Sequence, residues 1–226
     1  MKTAAIVPSA GYGKRLGLKV KKPFALLGGR PLVSHALAAL DESKAIDAII
    51  IAAEKSCVDK FRRLIKRFGF KKIIGIVIGG RTRFESVRNC LAKVGASYDI
   101  VLVHDGARPF VEKDMIEDSI RLAEKFGACV VGVPESDTVK VVGRGLFIKK
   151  TLDRDALFRA ATPQAFRRGL LIRAYAAKKP KCATDDAMLV EQMGERVKML
   201  KCSYRNIKIT TREDLKMAEA LLRESG

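Results

Sequence analysis

Five short apolar runs, at residues 4–7, 48–52, 73–78, 100–103 and 129–133, recur along this chain with helix-patterned segments between them. That alternation constrains the fold more than any other feature. The runs are rich in Ile and Val and carry no regular polar interruption, as expected for strands covered on both faces. The intervening segments, at 32–40, 58–68, 84–93 and 113–126, repeat apolar residues three and four apart, the spacing of an amphipathic helix. Strands alternating with helices predict an α/β fold, a doubly wound and mostly parallel sheet with helices on both faces. A chain of 226 residues can bury a sizeable core, and a single domain over 1–226 is expected. Ligands of such sheets bind beyond the carboxyl ends of the strands, so the residues following each strand carry the functional information.

The segment 136–153 breaks this rhythm. Its residues DTVKVVGRGLFIKKTLD, from Asp137 to Asp153, read as two short strands around Gly143-Arg144-Gly145, a hairpin arm protruding from the sheet domain. Val139, Val141, Val142, Leu146, Phe147 and Ile148 are more apolar surface than a lone two-stranded ribbon can bury, so the arm needs another surface. Beyond it the pattern predicts a helix near 168–177, a second opening at Thr184-Asp185-Asp186, a strand over 206–210 and a closing helix reaching Leu222.

Lys and Arg total 44 against 25 acids, a formal charge of +19, which attracts anions. The basic residues are dispersed over the whole chain, and aromatics for base stacking make up only 6%, so nucleic acid is not the expected partner. A small polyphosphate substrate or a thermostable charged surface accounts for the charge as well. No apolar run approaches the roughly 20 residues of a membrane span, and the N-terminus lacks a signal-peptide pattern. A cytoplasmic enzyme is the expectation. Cys57, Cys90, Cys129, Cys182 and Cys202 are far apart and odd in number, reading as reduced thiols. With only His35 and His104 beside them, no zinc cluster is expected, and no protein-held metal site.

The chemistry concentrates at three strand ends. After the first strand comes Pro8-Ser9-Ala10-Gly11-Tyr12-Gly13-Lys14-Arg15, which lacks the third glycine of a dinucleotide fingerprint and the spacing of a P-loop. What remains is a small-residue turn whose backbone N–H groups can approach an anion, with Arg15 and Lys22 as phosphate partners. An ordinary strand-to-helix turn with solvated basic residues fits this stretch equally well. After the third strand, Gly79 and Gly80 permit close backbone approach, with Arg83 and Ser86 following. After the fourth comes His104-Asp105-Gly106-Ala107-Arg108-Pro109, which places Asp105 and Arg108 at the same sheet edge.

Taken in order, these stretches together with D-T-V-K, L-D-R, T-P-Q-A-F, T-D-D and N-I-K-I-T resemble the 2-C-methyl-D-erythritol 4-phosphate cytidylyltransferases of the non-mevalonate isoprenoid pathway over nearly the whole chain. The resemblance implies a homodimeric, magnesium-dependent enzyme that joins CTP to the phosphate of a sugar alcohol and releases pyrophosphate. It implies catalytic roles for Arg15 and Lys22 on the triphosphate and for Arg154 and Lys208 on the attacking phosphate. Ser9, Ala10, Gly11, Gly80, Arg83 and Ser86 fall where the family holds CTP. Asp105, Arg108, Thr138, Thr162 and Thr184 fall where it holds the acceptor, with magnesium carried mainly by the CTP phosphates. Thr184 also reads as a plain helix N-cap.

Two positions depart from the family pattern. Lys21-Lys22-Pro23-Phe24 stands where Pro-Lys-Gln-Phe is common, which leaves Lys21 as a rival to Lys22, and Arg81 occupies a site usually held by an acid. The alternative readings are a ribitol 5-phosphate-type cytidylyltransferase, a basic nucleic-acid-binding protein and, against the missing glycine, a dinucleotide-dependent oxidoreductase.

Overall fold

The structure is a computed structural model that describes residues 1–11, 16–17, 20–177 and 183–224. Its centre is a seven-stranded sheet built from β1 (Thr3–Pro8), β4 (Ala48–Ala53), β5 (Ile73–Ile78), β6 (Ile100–Val103), β7 (Ala128–Pro134), β10 (Phe158–Arg167) and β11 (Lys198–Lys201). The spatial order is β11-β7-β10-β6-β1-β4-β5. β1 pairs in parallel with β4 and β6, and β4 with β5, while β10 runs antiparallel between β6 and β7. Two further strands, β2 (Leu26–Leu27) and β3 (Arg30–Pro31), form a small ribbon.

Two-residue periodicity divides the core. Ala5, Val7, Ile49, Ile51, Leu102 and Val131 face one way, against α1 (Leu32–Glu42), α2 (Val58–Phe68) and α4 (Lys113–Phe126). Their neighbours Ala4, Ile6, Ile50, Ala52, Val101 and Val130 face the other way, against α3 (Arg83–Leu91), α5 (Arg168–Ala176) and α6 (Asp186–Glu191). Continuous apolar runs in the central strands are the consequence of this two-sided burial. A third cluster joins Leu16, Leu27 and Leu32 to Ile209 and to Ala218 of α7 (Arg212–Arg223).

The five expected strands and four expected helices are present at nearly their expected bounds. β5 differs in burial, because it closes one edge of the sheet and leaves Ile74 and Ile78 exposed. No strand forms over 206–210; Ile209 N–H instead donates to Ala107 O at 2.9 Å, which fastens that segment to the loop after β6. The helix at Thr184-Asp185-Asp186 is capped by Asp185, whose carboxylate accepts from Met188 N–H, and Thr184 lies one residue outside it.

The arm is a separate antiparallel ribbon of β8 (Lys140–Val142) and β9 (Ile148–Thr151). Leu146, Phe147 and Ile148 at its turn are 80%, 79% and 64% exposed.

Candidate active site

The carboxyl ends of β1, β5 and β6 open onto one cleft of about 400 Å³. Glycine makes their convergence possible. A Cβ at Gly79 would lie 2.4 Å from Ala10 Cβ, and one at Gly106 would lie 2.3 Å from Ser9 Oγ, so the glycine backbone of two turns packs directly against small side chains of the third. Thr82 caps α3 in a reciprocal capping box with Glu85, which fixes Arg83 in the helix's first turn. Ser86 Oγ accepts from Gly80 N–H and donates to Thr82 O, folding the double glycine over the helix start.

Asp105 is the hub. Its Oδ1 accepts from Arg83 Nε at 3.0 Å and its Oδ2 pairs with Lys208 Nζ at 2.6 Å. Arg83 Nη2 in turn pairs at 2.8 Å with Asp186, which is 1% exposed and also accepts from the Tyr175 hydroxyl. Charges therefore alternate along a single line, Asp186, Arg83, Asp105 and Lys208, ending in the cleft. Burial pushes the Asp105 carboxyl up, but Arg83 and Lys208 outweigh it and hold the group well below the usual carboxylate range. Burial likewise opposes the charge on Arg83, and its two carboxylates more than offset that, so its proton is held more tightly than in water.

A second, neutral relay supports Asp105 from behind. The Asp105 N–H donates to Thr162 Oγ1 at 3.0 Å, and Thr162 Oγ1 lies 3.2 Å from His104 Nδ1. His104 Nε2 lies 3.0 Å from Arg108 O, which can only accept, so Nε2 carries the proton and Nδ1 accepts from the threonine hydroxyl. Burial lowers the His104 pKa to about 4, keeping this imidazole neutral.

Ser9, Ala10, Gly11, Lys22, Gly80, Arg81, Arg83, Ser86, Asp105 and Lys208 all line the cleft. Lys21 does not; its Nζ is 2.9 Å from Glu54. Arg108 donates to Asn206 O at 2.7 Å, bracing the segment that presents Lys208. Thr162 sits behind Asp105, and Thr184 borders a small pocket with Phe84 and Tyr175 on the outer side of Arg83. Thr138 is exposed beside the arm, and Arg154, also exposed, donates to Ser136 O at 3.1 Å at the arm's foot. Arg15 and Cys182 lie outside the described residues.

Sequence reasoning passed over Asp186, Tyr175 and Gln164. Gln164 Oε1 accepts from the N–H groups of Asp186 and Ala187, and its Nε2 donates to Asp185, so T-P-Q and T-D-D meet in space. Their joint presence in the sequence was the available signal.

Fold and cleft together define a doubly wound α/β nucleotidyltransferase, with small-residue turns and cations gathered at the carboxyl ends of its strands. The profile of the IspD family, 2-C-methyl-D-erythritol 4-phosphate cytidylyltransferase, matches residues 3–224, and the chain belongs to that family. It is 45% identical to the 2-C-methyl-D-erythritol 4-phosphate cytidylyltransferase of Syntrophotalea carbinolica, covering 100% of this chain and 98% of that one. With the enzyme of the same name from Alkaliphilus oremlandii the identity is 42%, over 98% and 95% of the two chains. Among solved structures, 4-diphosphocytidyl-2C-methyl-D-erythritol synthase from Anaerococcus prevotii superposes with a TM-score of 0.87 at 30% identity, covering 98% of both chains. The Thermus thermophilus cytidylyltransferase superposes with a TM-score of 0.78 at 32% identity, over 99% and 100%.

Proposed function

We propose that this cleft transfers a cytidylyl group from CTP to 2-C-methyl-D-erythritol 4-phosphate. A phosphate oxygen of the acceptor bonds to the α-phosphorus of CTP, and the bond from that phosphorus to the bridging oxygen breaks, releasing pyrophosphate. The observation that carries the reading is the placement of Lys22 and Lys208 in one cleft with the glycine turns of β1 and β5. Bringing two anions together is the main difficulty of this reaction, and fixed cations facing the developing charge reduce it. An acceptor phosphate is already anionic near neutral pH, so no general base is needed. Neither histidine lines the cleft: His104 is fully buried, and His35 Nε2 is 3.0 Å from Leu27 O.

In this reading Ser9, Ala10, Gly11, Gly80 and Ser86 receive the nucleotide, and Lys22, with Arg15, holds its triphosphate. Ser9 Oγ is a buried hydroxyl with no hydrogen-bond partner among the described residues, ready for a polar ligand atom. Arg83 acts by fixing Asp105, which offers its carboxylate to the acceptor's hydroxyls. Lys208 turns from Asp105 toward the acceptor phosphate when it arrives. Thr162 and Arg108 brace these groups from outside the cleft, and Thr184 stands behind Arg83.

Magnesium would supply charge neutralisation on the triphosphate. Asp105 is the one carboxylate among the described lining residues, and two cations already engage it. The donor set therefore suits a metal held by phosphate oxygens and water.

The exposed apolar arm supports a homodimer in which Arg154 and Thr138 enter the partner's cleft, each subunit being one nucleotidyltransferase domain with a dimerisation arm. No helix among the described residues is long and apolar enough to cross a membrane. The free, buried thiols of Cys57, Cys90 and Cys129 suit the cytoplasm. Pyrophosphate release measured with each of four nucleoside triphosphates, crossed with methylerythritol 4-phosphate and ribitol 5-phosphate, tests the assignment. The expected best pair is CTP with methylerythritol 4-phosphate, and faster turnover of any other pair overturns it.

A further inference from the structure

Arg81 lines the cleft but takes no part in the line of charges that Asp105 organises. The residue is exposed, and its guanidinium makes no hydrogen bond or ion pair among the described residues. Two other cations of the cleft are engaged by carboxylates, Arg83 by Asp105 and Asp186, and Lys208 by Asp105. No acid is left over for Arg81. Asp105 is the one carboxylate among the described lining residues, and the nearby Glu85 carboxylate is taken up by backbone N–H groups.

The root of this side chain is held firmly. Arg81 N–H donates to Glu85 Oε2 at 2.6 Å, and the same oxygen accepts from Thr82 N–H at 3.3 Å. On the other side, Gly80 N–H donates to Ser86 Oγ at 3.1 Å. Gly80 passes so close to α3 that a Cβ there would lie 2.2 Å from Glu85 Cβ. Residues 80–82 are therefore fixed against the first turn of α3, and the direction in which Arg81 leaves the backbone is set with them. Local electrostatics give no reason for a cation here. The start of a helix presents positive amide dipoles, and Arg83 adds a like charge two residues on. A guanidinium without a counter-ion, rooted in a rigid turn of a cleft whose acid is already engaged, attracts an anion from outside the chain.

We propose that Arg81 is a further binding residue for the donor nucleotide, offering its guanidinium to the oxygens of the triphosphate. That the anion belongs to a nucleotide rests on the functional reading above, in which Gly80, the residue before Arg81, receives the nucleotide. Phosphate oxygens are the partners that suit the side chain. A guanidinium has five donors and no acceptor, so it cannot accept from the exocyclic amino group that distinguishes cytosine from uracil. Arg81 therefore adds affinity for the triphosphate without choosing between the two pyrimidines.

Arg81→Gln in the full chain tests it, since glutamine keeps a polar stem and removes the charge. Tm is expected to hold, because no partner within the chain is lost. KM for CTP is expected to rise roughly fivefold, between the value of an exposed ion pair and that of a charge-assisted bond, with KM for the acceptor little changed. UTP, assayed as a competing donor, is expected to lose as much, so that the preference for CTP over UTP stays the same. Calorimetric titration with inorganic triphosphate, in the absence of nucleotide and acceptor, is expected to show a similar loss of affinity that shrinks as KCl is added. Arg81→Lys is expected to restore part of each effect. A wild-type KM for CTP, an unaltered affinity for inorganic triphosphate, an equal rise of KM for donor and acceptor, a changed CTP-to-UTP preference or a fallen Tm each overturns the proposal. Because the calorimetry uses no nucleotide, it reports on the anion contact even if CTP is not the donor, an error that the nucleotide panel would expose separately.

Discussion

Lys208 Nζ lies 2.6 Å from Asp105 Oδ2, a cation held in the cleft by the carboxylate beside it. The pair keeps Lys208 in the cleft and helps to keep Asp105 ionised; in the proposed reading Lys208 leaves it for the acceptor phosphate and Asp105 turns to the acceptor's hydroxyls. Lys22 lines the same cleft, while Lys21 pairs with Glu54. Lys208→Ala is therefore expected to raise KM for the acceptor by roughly tenfold or more, the value of a charge-assisted bond, with KM for CTP little changed. Lys22→Ala is expected to lower kcat by about 100-fold and Lys21→Ala to leave it nearly normal. Steady-state kinetics on the three variants decide this, and a dead Lys21→Ala beside a normal Lys22→Ala inverts the assignment.

Asp186 never touches the cleft, yet the line of charges begins with it. Removing its charge leaves Arg83 balanced only by Asp105, so the guanidinium is drawn inward and the carboxylate is engaged more tightly. Asp186→Asn is expected to destabilise the fold by roughly 3 kcal/mol, as when one partner of a buried pair is lost, and to raise KM for the acceptor. Tyr175→Phe removes only one hydrogen bond to the same carboxylate and is expected to cost about 1 kcal/mol. Denaturant titration with parallel kinetics checks both; equal losses in the two variants would show that the ion pair with Arg83 contributes nothing beyond the hydroxyl bond.

Acid sensitivity follows from His104. Its ordinary pKa of 6.5 governs the unfolded chain, while burial lowers the folded value to about 4. Between these values the unfolded state binds the extra proton, so stability rises with pH. The contribution is complete above about 6.5 and is lost as pH falls toward 4, amounting to about 3 kcal/mol over the window. Asp105, shifted in the same acid-sensitive direction, adds its loss only at lower pH. His104→Gln preserves a donor toward Arg108 O and removes the titration. Urea midpoints at several pH values from 4.5 to 7.5 should flatten in this variant, and an unchanged slope places the acid sensitivity elsewhere.

How legible this molecule is in its sequence depends on the element. Strands such as Ile100–Val103 announce themselves because both faces are buried, and the glycine turns because only small residues let three strand ends meet. β10 is hidden by Pro163, which argues against an interior strand; the fold accommodates it where the pairing with β7 shifts register between Ala160 and Gln164. β11, with a lysine at each end, has too short an apolar stretch to signal a strand. Within the cleft, residue types pointed to phosphate chemistry, but the division between Lys21 and Lys22 is made by Glu54, and the role of Asp186 by Arg83, over 100 positions away. Partners chosen by tertiary packing leave no local pattern.

The arm makes the most demanding prediction. Phe147 and Leu146 stand almost fully in solvent, and Arg154 at the arm's foot is absent from the residues lining its own chain's cleft. A second copy of the chain would cover the first two and receive the third. Phe147→Glu is then expected to yield a monomer by sedimentation and to lose activity with it. Mixing gives the sharper reading. If Arg154 serves the partner's site, Lys22→Ala and Arg154→Ala are each inactive alone, whereas a mixed two-fold dimer holds one site with both defects and one with neither. Random reassortment makes about half of the dimers mixed, and half of the sites in those are intact, so about a quarter of wild-type activity should return. Activity that stays at the single-variant level, with exchange confirmed by differently tagged chains, would mean that each site is built from one chain.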